Sequence, residues 1–89
     1  MMYPYIAFPD GLEVTHSQIL DDGGMETMEV HFERPSEHGF QSARCSLPSY
    51  RWLFNEGFSK DELQAFHEFL ERNAHNLFRF ATEGGGYSA

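Results

Sequence analysis

The sequence predicts an α+β domain in which an antiparallel β-meander of about four strands carries one long C-terminal helix on one face, in the order β-β-β-β-α. Two patterns predict it. Over the first half of the chain, apolar residues alternate with polar ones in short runs separated by Gly, Pro and Asp, the period of half-buried strands. After Phe58 the apolar spacing changes to three and four residues, the period of an amphipathic helix. The length of 89 residues suits a single domain spanning 1–89 with one core. A domain of this size buries only about 60–65% of the surface its unfolded chain exposes, so each core side chain counts. Nine Phe, four Tyr and one Trp within a 40% hydrophobic chain are too many apolar groups for disorder.

The first strand, about 3–8, runs from Tyr3 to Phe8 and ends at Pro9-Asp10-Gly11, where Pro presets φ and Gly accepts a positive one. The segment 12–19 then returns as the second strand of a hairpin. It places Leu12, Val14 and His16 on one face and Glu13, Thr15 and Ser17 on the other. Asp21-Asp22-Gly23-Gly24 is a connector that reverses the chain. In the third strand, 26–33, Met28, Val30 and Phe32 alternate with Glu29, His31 and Glu33, so one face is core. Arg34 to Gly39 reads as a loop around Pro35. The fourth strand, 40–47, turns Ala43, Cys45 and Leu47 inward and aims Ser42 and Arg44 at Glu29, His31 and Glu33. Residues 49–54 carry large side chains at one-turn spacing and read as a short helical turn.

The helix, about 60–82, has the clearest ends. Ser59 and Glu62 form a capping box, with Phe58 and Leu63 in the staple positions. Asp61 and Glu62 suit the positive end of the dipole. Leu63, Phe66, Leu70, Ala74, Leu77 and Ala81 make the apolar stripe. Gly84 is the expected stop, and 84–89 reads as a flexible tail. At 1.5 Å per residue the helix spans roughly 34 Å, longer than strands of about 20–27 Å. The resulting overhang leaves Phe69, Phe78 and Phe80 in search of cover. Tyr50 and Trp52 are either that cover or, with the three phenylalanines, a surface for self-association.

Charge narrows the function. Fourteen Asp and Glu against six Lys and Arg give a net charge of −8, which opposes direct nucleic-acid binding, because that affinity comes from Lys and Arg releasing counterions. A basic protein partner is favoured instead. A lone Cys45 excludes an internal disulfide and a Cys-rich zinc site. No apolar run reaches the roughly 18 residues of a membrane span, and residues 1–10 have no signal-peptide pattern. The expectation is a cytoplasmic protein with no membrane association and no cofactor.

Two constellations bear on chemistry. His67-Glu68-Phe69-Leu70-Glu71 begins like the zinc-protease motif HExxH but has Glu71 at the second histidine position. His67, Glu71 and His75 recur every four residues and form a candidate metal set. On the open sheet face, Glu29, His31 and Arg44 group a carboxylate, an imidazole and a guanidinium, which suits a small anion or proton transfer. Neither completes a catalytic motif. Asp21 to Gly24 lacks the twelve-residue ligand spacing of a calcium loop, and Gly84 to Gly86 lacks the Lys of a phosphate loop. The composition therefore favours a small, non-catalytic, acidic protein-interaction module, as a monomer or a homodimer. A metal-binding or hydrolase-like protein using His67, Glu71 and His75 is the alternative.

Overall fold

The computed structural model describes residues 1–83; the tail expected at 84–89 and its Gly84 stop lie outside the described residues. Six strands, β1 (Tyr3–Ala7), β2 (Glu13–His16), β3 (Leu20–Asp22), β4 (Met25–Ser36), β5 (Gly39–Leu47) and β6 (Arg51–Glu56), precede one helix, α1 (Lys60–Thr82). All pairings are antiparallel, and the sheet runs β1-β2-β4-β5-β6 with β3 joined to β4. The α+β meander with a C-terminal helix is therefore the observed architecture, with more strands than the alternation predicts.

The long β4 organises the sheet. Its Val30–Glu33 half pairs with β2, while Met25–Thr27 pairs with β3. β2 and β3 are thus two pieces of one broken strand. The break lies where Ser17 leaves the ladder: its backbone N–H still bonds the Glu29 carbonyl at 2.9 Å, and its hydroxyl accepts from the Glu29 N–H at 3.0 Å. This ends the expected strand 12–19 at His16. Between β3 and β4, Gly23 and Gly24 both hold positive φ, 63° and 92°, as a two-residue hairpin loop with matching twist demands.

Two stretches, the expected loop at Arg34 to Gly39 and the expected helical turn at 49–54, are largely strand instead. Arg34, Pro35 and Ser36 belong to β4, paired with Gln41, Phe40 and Gly39. Pro35 is tolerated because β4 has outrun β2, whose last pair is Glu13 with Glu33, so its missing N–H breaks no ladder. Residues 49–54 are not a helical turn. After a turn with a cis Leu47–Pro48 bond and Tyr50 at φ 60°, the chain returns as β6, with Trp52 opposite Cys45 and Phe54 opposite Arg44. The register shifts between those pairs, leaving Leu53 as an extra residue. That bulge spoils the alternation and makes Trp52-Leu53-Phe54 look like a helical cluster.

The core lies between α1 and one sheet face. Leu12, Val14 and His16 from β2 and its lead-in, Met28, Val30 and Phe32 from β4, and Ala43, Cys45 and Leu47 from β5 are all buried. Phe66, Leu70 and Leu77 of α1 close over them. The capping box is present in both directions: Glu62 N–H donates to Ser59 Oγ at 3.1 Å and Ser59 N–H to Glu62 Oε1 at 3.0 Å. Gly57, at φ 100°, turns the chain from β6 into the helix, and a Cβ there would meet Gln41 Cγ at 3.0 Å. Burial pushes the Cys45 thiol up to about 11, so it packs as a small apolar group. Among the described residues no helix is long and apolar enough to cross a membrane.

Candidate functional site on the open sheet face

Because α1 covers one face only, the opposite face of the sheet is uncovered, and strand register fixes what it presents. One row across four strands reads Thr15, His31, Arg44, Phe54. The next reads Glu13, Glu33, Ser42, Glu56. Like charges directly opposite one another destabilise a strand pair, yet Glu13 faces Glu33 with no cation between them. Neither of these residues nor Glu56 forms an ion pair among the described residues. Two large apolar groups flank this acidic row. Phe54 is 43% exposed beside Arg44, whose guanidinium sits 5.7 Å from its ring centre, and Phe40 is 64% exposed opposite Pro35.

Glu29, His31 and Arg44 do share this face, as the alternation predicts. His31 Nε2 lies 3.6 Å from Glu29 Oε1, beyond hydrogen-bonding reach, and is buried without another partner among the described residues. Burial pushes the imidazole below its ordinary 6.5, and Arg44 on the neighbouring strand pushes the same way against Glu29 and Glu33. A neutral imidazole beside a guanidinium gives no aligned proton relay. The consequence is for stability. The unfolded chain protonates this histidine first, so stability is lost as pH falls from 6.5 toward the lower folded value. Wild type is expected to lose more of its urea midpoint than His31→Gln between about pH 7.5 and about pH 5.5. Equal losses would remove His31 from the account. Glu62 and Asp10 act in a separate, more acidic window. Both carboxyls are held below their ordinary range, first by backbone N–H groups of Ser59 and Leu12 respectively and then by Arg34.

The helix triad is only partly assembled. His67 Nε2 lies 3.4 Å from Glu71 Oε2, but His75 stands exposed. Among the described residues no group of three or more His, Cys, Asp or Glu side chains is placed to hold a metal ion. His67 instead packs on Tyr50, with ring centres 5.0 Å apart.

The five aromatic residues do not form one surface. Phe69 and Phe80 lie on the flank of α1 that faces β1, where Tyr5 meets both at 6.2 and 5.4 Å between ring centres. Trp52 lies against Phe32, and Tyr50 against His67, on the β6 side of the helix. Phe78 is partly buried against the core. Cover for the helix therefore comes from β1, with Tyr5 further anchored by its hydroxyl on Asn73 Oδ1 at 2.7 Å. Phe80 alone of the three phenylalanines is an exposed large apolar group, at 43%.

Sequence reasoning misses the acidic row and Arg34. Glu56 falls between the expected helical turn at 49–54 and the helix, outside any expected strand, and the facing of Glu13 with Glu33 depends on register, which one sequence does not state. Arg34 reads as a loop residue but lies on the helix side of β4. It donates to Asp10 Oδ2 at 3.2 Å, to Gln41 Oε1 at 2.8 Å and to Glu62, and its guanidinium lies 5.2 Å from the Phe58 ring centre. Compared with family models, curated proteins and solved structures, the chain matches none.

Proposed function

We propose that the protein is a non-catalytic binding module whose open sheet face takes a basic protein segment. The observation that carries this reading is the row Glu13, Glu33, Glu56, which forms no ion pair among the described residues and is bordered by exposed Phe40 and Phe54. A cationic segment with apolar side chains answers both features: its Lys or Arg groups relieve carboxylate repulsion, and its apolar groups cover the two rings. A second copy of the chain suits the face less well, since each carries −8 and like charges oppose association. A reducing, cytoplasmic setting accords with the single cysteine.

The test is an amide chemical-shift titration of the labelled protein with a short peptide alternating Lys and Leu. Shifts are expected at Glu13, His31, Glu33, Phe40, Arg44 and Phe54, and they should fade as salt is raised. Glu33→Gln should weaken the peptide while stabilising the free protein by about 0.2–1 kcal/mol through relief of the Glu13 repulsion. Shifts spread over Asp61, Glu68 and Glu71 of the helix instead would discard the sheet face as the site.

A further inference from the structure

The sheet has two outer strands, β1 and β6, and each leaves one row of backbone N–H and C=O groups without a ladder partner. β1 is blunted by Pro4, which has no N–H to give a further strand. β6 contains neither Pro nor Lys, and five of its six residues are exposed. Its only charges, Arg51 and Glu56, stand at its two ends, and neither forms an ion pair among the described residues. In a regular strand, residues five apart point to opposite faces. Here Leu53 is the extra residue of a bulge, so both ends share the open face: Arg51 lies opposite Ser46 and Glu56 opposite Ser42, in the rows of Glu29 and Glu33.

We propose that β6 is the interface of a homodimer, pairing antiparallel with β6 of a second copy so that the two sheets become one. A two-fold axis between Leu53 and Phe54 sets Arg51 against Glu56 of the second copy, twice, with Trp52 against Asn55 and Leu53 against Phe54. The strand is thus complementary to itself in charge. The faces agree as well. Arg51 and Glu56 both lie on the open face, while Trp52 and Asn55, opposite Cys45 and Ala43, both lie on the helix side. Leu53 and Phe54, 42% and 43% exposed, gain cover at the axis. A basic segment of the kind taken by the sheet face would answer Glu56 but leave Arg51 facing a like charge, whereas a second copy answers both. The net charge of −8 on each copy opposes approach, yet half of the six basic residues gather at this edge: Arg51 in β6, Arg44 opposite Phe54, and Lys60 lining one cavity with Trp52. Repulsion is therefore reduced where the copies meet.

This interface goes beyond the sheet-face reading and shares only Glu56 with its acidic row. Six residues from each copy make a contact smaller than the standard interface of about 1,600 Å², so a dissociation constant on the order of 0.1 mM is expected. Sedimentation velocity between about 10 µM and about 1 mM should show monomer passing to dimer, with amide shifts on dilution at Leu53, Phe54 and Asn55. Arg51→Glu and Glu56→Arg should each weaken association by about tenfold or more, because each sets like charges against one another at both ends. An equimolar mixture of the two variants should associate again, since Glu then meets Arg at both ends. One copy of each carries the same total charge as two wild-type copies, so net charge does not account for the rescue. Glu56→Arg also separates the two effects by itself: it makes the chain less acidic and would tighten any association limited only by general repulsion. Leu53→Lys places a guarding charge on the edge and should weaken the dimer, while Glu33→Gln should leave it unchanged. A wild-type protein still monomeric at about 1 mM, self-association indifferent to both charge reversals, or a mixture no stronger than the single variants overturns the proposal.

Discussion

Replacing Phe32 by alanine is expected to lower stability by about 3–5 kcal/mol, the largest loss of any single truncation in the chain. An 89-residue domain has roughly 4–13 kcal/mol in all, so the variant should be partly unfolded at room temperature. The reason is position. Phe32 is 1% exposed at the centre of β4 and stacks on Phe66 of the helix at 4.4 Å. It also touches Trp52 of β6 and Phe69 on the other helix flank, at 5.9 and 6.1 Å. One ring thus joins the middle strand, the edge strand and both sides of α1, and no neighbour is free to collapse into the gap. Phe32→Leu keeps most of the volume and should lose less than about 1.5 kcal/mol. Phe40→Ala, at 64% exposure on the open face, should stay within about 0.5 kcal/mol of wild type. Urea unfolding followed through Trp52, the single tryptophan, measures all three. If Phe32→Ala falls no further than Phe32→Leu, the ring is not the keystone of the core.

What the amino-acid order reveals, and what it hides, follows from the range of each interaction. Helix α1 is legible to the residue because its signals are local: Ser59 and Glu62 bond to each other, and the Phe66, Leu70, Leu77 stripe needs only a 3.6 period. The inward faces of β2, β4 and β5 are legible for the same reason, since alternation is a property of one strand. Register is not. Which glutamate faces which depends on where turns end and bulges fall, and Leu53 and Ser17 each shift the ladder without a strong sequence mark. The acidic row is therefore invisible until strands are paired, although each of its members is plainly a glutamate. The metal set rests on spacing alone, and among the described residues no group of three or more His, Cys, Asp or Glu side chains is placed to hold a metal ion. Four-residue spacing puts His67, Glu71 and His75 in a line along the helix, with Glu71 and His75 both exposed to solvent.

Arg34 is the second residue whose loss should be felt well beyond its own position. Its guanidinium ties the end of β4 to the β1–β2 turn through Asp10, to β5 through Gln41 and to the first helical turn through Glu62. Glu62 is also half of the capping box, so one carboxylate receives both the Ser59 N–H and the arginine. Arg34→Met keeps apolar length over the Phe58 ring and removes every polar tie. The loss should be about 1–2 kcal/mol, carried by the bonds to Glu62 and Gln41, because charge-assisted hydrogen bonds are strong but these are reached by solvent and screened. Asp10 adds little there, its side chain being 55% exposed. Two readouts distinguish this network from simple packing. Part of the wild-type advantage over Arg34→Met should disappear in about 1 M salt, whereas the Phe32→Ala deficit should not shrink. Amide exchange at Leu12, in the β1–β2 turn, and at Leu63, in the first helical turn, should quicken together in Arg34→Met, while exchange at Val30 and Cys45 rises only by the global change. If Leu12 and Leu63 respond independently, Arg34 links them in geometry but not in energy, and the hairpin and the helix close over the core as separate units.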